Sequence, residues 1–176
     1  MKIKSKIFSS ILIRYALLLI VAIPGLWLFY TIFTPLTVYP VYYLLNLFYE
    51  ASIKGQVVNI AGIVSIELIG ACIAGSAYYL LLILNLSIQK IKISKRIKLL
   101  IYSFLAFLII NILRIFILSV LYINKYSGFE ITHQIFWYVG SIVIVILIWF
   151  VGISIYKVKE IPFYNDLKFL YKELRK

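Results

Sequence analysis

Four long apolar runs separated by short polar blocks organise this chain: Ile11–Phe33, Gly70–Ile88, Leu99–Ile123 and His133–Tyr156. Each is close to the ~20 residues that a helix needs to cross a hydrocarbon core. The first contains Pro24-Gly25, a pair that kinks or breaks a helix. Between the first two runs lies Thr34–Ile69, which the pattern makes an external segment or one that dips into the outer leaflet. Its first half, Pro35–Glu50, is rich in Tyr, Phe and Leu and interrupted by proline, which predicts an interfacial or re-entrant helix. Its second half, Gln56–Ile69, has β-branched residues on both sides of Ala61-Gly62 and predicts a short hairpin turning there. From Lys157 onward, with Pro162 and Asp166, the tail predicts a short amphipathic helix on the inner surface. No small-residue cleavage site follows Met1–Ser10, so the N-terminal run predicts an anchor rather than a signal peptide.

Composition supports the same class. Of the 176 residues, 64% are hydrophobic and 14% charged, and the mean hydropathy is +1.05. A soluble domain is roughly half apolar and about a quarter charged. The apolar excess is too large for a single soluble core to bury, so the expected fold is an all-α polytopic membrane protein. It has four transmembrane helices, an external interfacial helix and a short β-hairpin, all in one domain over residues 1–176.

The net charge of +12 invites a nucleic-acid reading, but the distribution of charge answers it. Fifteen of the eighteen Lys and Arg residues fall in three blocks: Lys2 to Arg14, Lys90 to Lys98, and Lys157 to Lys176. With four spans all three blocks share one side, which the positive-inside rule makes cytoplasmic. Five spans would put at least one block outside. Both termini are therefore expected on the cytoplasmic side of the cell membrane, and no nucleic-acid partner is expected. One Cys and one His exclude an internal disulfide and a zinc cage within the chain, and no cofactor is expected.

This orientation gathers the reactive side chains. Cys72 stands at the outer end of the second run and His133 opens the last one. Arg114 lies seven residues before Leu121, roughly 10 Å below the outer end of the third run, within reach of its long stem. A Cys in a membrane helix is otherwise an inert small hydrophobe, and a boundary His an interfacial residue. An Arg inside a span costs at least about 2.5 kcal/mol on insertion scales and marks function by default. Together the three are equipment for acyl transfer. A helix N-terminus favours a thiolate at Cys72. His133 exchanges protons with the thiol and the leaving amine, and Arg114 stabilises the thiolate or an oxyanion. Asn111, three residues before Arg114, is placed to hold its guanidinium. Ser76 lies one turn below Cys72, and small residues from Gly70 to Ala77 let a neighbouring helix approach.

The stretch Ile66-Glu-Leu-Ile-Gly-Ala-Cys-Ile-Ala-Gly-Ser-Ala-Tyr-Tyr-Leu-Leu-Leu-Ile-Leu-Asn85 resembles the cysteine-bearing span of the exosortase/archaeosortase family, and looks closest to its small archaeal forms. Asn111-Ile-Leu-Arg-Ile115 resembles the arginine-bearing span, and His133 occupies the place of the third catalytic residue. The resemblance covers about Val57 to Phe150. It implies a membrane-embedded cysteine transpeptidase with Cys72 as nucleophile, His133 as acid/base and Arg114 as oxyanion or thiolate stabiliser. Its implied partners are exported proteins ending in a short motif, a hydrophobic helix and a basic tail, with a membrane lipid as a possible acceptor. Many family members have more spans, and the Cys-Ile-Ala-Gly-Ser run departs from the commoner Cys-Ser/Thr-Gly pattern. The competing reading is a non-enzymatic membrane component, such as a transporter subunit or assembly factor, in which Arg114 binds an anionic ligand.

Overall fold

The computed structural model describes residues 2–24, 26–89, 91–158 and 171. Helix α1 (Lys2–Ala22) is followed by α2 (Trp27–Asn46). Three strands then form β1 (Ala51–Lys54), β2 (Val57–Ile60) and β3 (Val64–Glu67). A single-turn helix α3 (Gly70–Ile73) leads into α4 (Gly75–Leu86), and α5 runs unbroken over Ile93–Ile123. Helix α6 (Phe129–Ile135) passes through a π-helical segment, Phe136–Gly140, into α7 (Ser141–Ile155).

Among the described residues three stretches are long and apolar enough to cross a membrane: Trp27–Asn46, Ile93–Ile123 and Phe129–Ile155. Ser9–Ala22 and Gly70–Leu86 are shorter apolar helices. Leu, Ile and Phe residues on the outer faces, among them Ile20, Ile109, Ile142 and Phe150, are exposed. Such a continuous apolar exterior is what a bilayer solvates and water does not.

The first apolar run is not one span over 11–33. Helix α1 stops at Ala22, and the chain turns through Pro24 to Leu26, which adopts a left-handed conformation (φ 61°) before α2 begins. Nor do Pro35 and Pro40 end a helix. Both lie inside α2, so Thr34–Asn46 continues that helix and no separate interfacial helix forms. Each proline removes one intrahelical bond. Unwinding the helix in an apolar medium would orphan many more main-chain groups. The buried face of α2, from Phe29 through Phe33, Thr37, Val41 and Leu45, is also held by packing. Phe33 stacks on Tyr78 at 3.6 Å, and Phe104 meets both rings edge-on.

In tandem, α1 and α2 follow the length of α5 once. Arg14 of α1 and Arg96 of α5 both donate to the carbonyls of Leu86 and Ile88. At the other end, Asn124 after α5 donates to the hydroxyl of Tyr49 after α2. Helix α5 buries Leu99, Ser103, Phe107, Asn111, Ile115 and Ser119, one residue every four, and so presents a single stripe to the core.

The strands form an antiparallel meander in the order β1-β2-β3. The expected hairpin is β2–β3, turning at Ala61 and Gly62 with φ of 49° and 68°. Ile63 donates to the carbonyl of Ile60 at 2.9 Å, closing the turn around these two residues, and the register leaves Ala61, Gly62 and Ile63 between the paired Ile60 and Val64. Positive φ at a tight turn matches the twist of the flanking strands. Strand β1 is an addition, joined to β2 through Gly55 at φ 65°. The second expected span, 70–88, is interrupted at Ala74, the third begins earlier at Ile93, and the fourth begins earlier at Phe129. The amphipathic helix expected in the tail lies outside the described residues, Tyr171 apart.

Candidate active site

Cys72 owes its setting to a broken helix. Ala74 has φ 58° and ψ 45°, so α3 closes after one turn and α4 starts afresh at Gly75. A left-handed residue diverts the chain and leaves carbonyls of the last turn without helical partners. One of these, the carbonyl of Cys72, accepts a 2.9 Å hydrogen bond from Nδ2 of Asn111 on α5. Asn111 therefore anchors the cysteine's backbone and does not hold Arg114, the role its i, i+3 spacing predicts. The helix-terminus effect expected at Cys72 also shrinks. Its N–H is already bonded to Ile69 at 2.8 Å, and one turn aligns too few peptides to build a sizeable dipole. The break is packed by Tyr30, because a Cβ on Gly75 would come within 2.8 Å of that ring.

Arg114 lies one turn beyond Asn111 on α5 and is held from the opposite wall. Its Nη1 donates to Oγ of Ser141 at 2.6 Å, and Ser141 donates in turn to the carbonyl of Phe136 at 3.4 Å. Ser141 is the first residue after the π-helical segment. The wider π turn brings residue 141 back over residue 136, a distortion that recurs at functional sites. The Nε of Arg114 is buried and has no hydrogen-bond partner among the described residues.

His133 sits on α6 between two aromatic rings on its own helical face. Phe129 stacks on it at 5.4 Å with 7° between planes, and Trp137 meets it edge-on at 5.6 Å. The i, i+4 spacing produces this sandwich, and the ring is left half-buried.

Cys72, Arg114 and His133, from three separate elements, line one cavity of about 250 Å³. Its other walls are Ser65–Glu67 of β3 with the following Leu68, the C-terminal part of α5 from Ile115 to Tyr122, and the rings of Phe129, Phe136 and Trp137. No hydrogen bond joins the three residues to one another among the described residues. Glu67 is part of this lining, whereas Ser76, beyond the break at Ala74, is not. Among the described residues no three His, Cys, Asp or Glu side chains are grouped as metal ligands.

Several of these contacts were not read from the sequence. Ser141 gave one signal only, a polar residue in an apolar run eight positions after His133. The cavity-facing strand β3 gave none, because its role depends on where the sheet docks. No family model, curated protein or solved structure matches this chain.

Proposed function

We propose that this protein is a membrane-embedded cysteine peptidase or transpeptidase of the exosortase/archaeosortase kind. It would act on exported proteins that end in a hydrophobic helix and a basic tail. One observation carries the reading: the chain's only Cys, its only His and the only Arg in the apolar interior of α5 line a single cavity. Coincidence is a weak explanation, because an Arg in such a helix is costly unless it has a task.

In this reading His133 takes the proton of the Cys72 thiol, and the thiolate attacks the scissile carbonyl carbon. The carbonyl oxygen becomes an oxyanion beside the Arg114 guanidinium, which Ser141 holds in place. Collapse of the tetrahedral intermediate breaks the C–N bond, and His133 delivers its proton to the departing amine. The remaining thioester is attacked by a nucleophile, a lipid headgroup amine for transfer or water for hydrolysis; His133 takes the nucleophile's proton, the C–S bond breaks, and the proton returns to the Cys72 sulfur.

Four passes with both termini cytoplasmic fit this reading. The pair α1–α2 counts as one interrupted pass because it follows the length of α5 once, and α3–α4 as a second. The fifteen basic residues of the three blocks then lie on one side and the cavity opens at the outer face.

The deciding experiment measures the C-terminal mass of a candidate exported substrate in cells carrying Cys72→Ala at equal membrane abundance. Intact C-termini are expected. Normal cleavage would end the enzymatic reading and leave Arg114 as a ligand-binding or structural residue.

A further inference from the structure

Strand β3 borders the cavity with an unpaired edge. Leu68 donates its N–H to the carbonyl of Gln56 at 2.9 Å, and the register places Ile66 opposite Val58 and Glu67 opposite Val57. Bonding alternates along an antiparallel pair. Ile66 and Leu68 therefore use their main-chain groups on β2, while Ser65 and Glu67 direct theirs away from it. Among the described residues no hydrogen bond reaches the N–H or C=O of either, and both residues are exposed.

The opposite edge is capped at one point. On β1 the outward N–H of Ala51 is capped by Oδ1 of Asn46 at 3.2 Å. Proteins usually cover or blunt a free strand edge, because it templates pairing with another chain. The edge on the cavity has no such cap among the described residues, and its chain runs on through Leu68 and Ile69 to Cys72.

The geometry points to β3 as the docking strand for the substrate: an extended segment on the N-terminal side of the scissile bond pairs with Ser65 and Glu67 as a fourth strand. This rests on the proposed function, which supplies a peptide substrate continuing into a hydrophobic helix. It also sets the direction. Strand β3 runs from the Ala61-Gly62 turn toward Cys72, and a substrate entering the bilayer by its C-terminal helix runs the same way. The added strand is parallel, each of Ser65 and Glu67 bridging alternate residues of the guest. Main-chain bonds give affinity, and alternate guest side chains facing the cavity give selectivity.

The test separates backbone from side chain. The probe is an exported reporter carrying a candidate sorting segment, hydrophobic helix and basic tail from the source genome. The readout is its co-purification with the Cys72→Ala protein. Ser65→Pro and Glu67→Pro each remove one outward N–H at an edge position where proline is tolerated. Ser65→Thr and Glu67→Gln keep it. We expect the proline variants to lose at least about tenfold more capture than the side-chain variants, about 1.4 kcal/mol for each bond removed. Thermal unfolding of each variant checks the fold. A second arm needs no variant: a synthetic segment peptide with alternate backbone nitrogens methylated should compete about tenfold more weakly than the unmethylated peptide. Equal losses in proline and side-chain variants, or equal competition by the two peptides, would overturn the docking strand. Edge-dependent capture of a reporter that the Cys72-intact chain never cleaves would support the strand and sink the enzymatic reading. Cleavage that needs Cys72 but persists in both proline variants would do the reverse.

Discussion

The side-chain amide of Asn111 holds the main-chain carbonyl of Cys72 across a 39-residue separation in sequence, at 2.9 Å. The bond exists because Ala74 ends α3 after one turn and frees that carbonyl. Helix α5 thus fixes the cysteine's backbone and, one turn later, supplies Arg114 to the same cavity.

Replacing Asn111 with Leu should lower stability by about 1–3 kcal/mol, the range for leaving a buried polar group unpaired. The bond is local to the cysteine, so the alkylation rate of Cys72 in detergent should change as well. A thermal shift with an unchanged alkylation rate would mean that the bond holds the fold and not the thiol's position.

Ser141→Ala removes the hydroxyl that Arg114 binds and leaves the helix intact. Processing should fall by about tenfold, the effect of one hydrogen bond to a charged group, with little loss of melting temperature. Arg114→Lys should be worse, because an ammonium lacks the planar fork that reaches Ser141 and an oxyanion together. Equal activity of Arg114→Lys and the native chain would remove the oxyanion role.

The break at Ala74 sets opposite expectations for neighbouring positions. Ala74→Gly relieves a left-handed conformation that costs an alanine roughly 1 kcal/mol and should raise the melting temperature. Gly75→Ala should lower it, since the new methyl meets the Tyr30 ring at 2.8 Å. Adding Tyr30→Leu should recover part of the loss. A continuous helix through residue 74 would reverse both signs.

Topology is tested by cysteine labelling in intact cells on a Cys72→Ala background. Ser52→Cys, on β1, should react with an impermeant maleimide. Ser94→Cys, in the first turn of α5, should react only after the membrane is opened. External labelling at position 94 would sink the four-pass arrangement and the outer location of the cavity.

The apolar runs, the three basic blocks and the turn at Ala61-Gly62 were legible along the sequence because each depends on neighbours in the chain. A helix must be apolar over about twenty residues to meet lipid, and a tight hairpin needs residues that accept positive φ. That Cys72, Arg114 and His133 line one cavity was also legible, as three rare side chains at corresponding places in their apolar runs. What the linear pattern misassigned were the breaks. Pro35 and Pro40 look like stops yet lie inside α2, while Ala74, a strong helix former, ends α3. Local propensity is worth a few kcal/mol at most. The Phe29–Phe33–Tyr78 stack on one element, and the close fit of Gly75 to Tyr30 on the other, outweigh it. The same holds for the partners within the cavity. Asn111 meets Cys72 and Ser141 meets Arg114 only because α3, α5 and the π-helical segment converge, and no spacing within any one of them encodes that convergence. The open edge of β3 is the extreme case: its pairing pattern follows from register, but its position on the cavity was decided entirely by how the sheet packs on the helices.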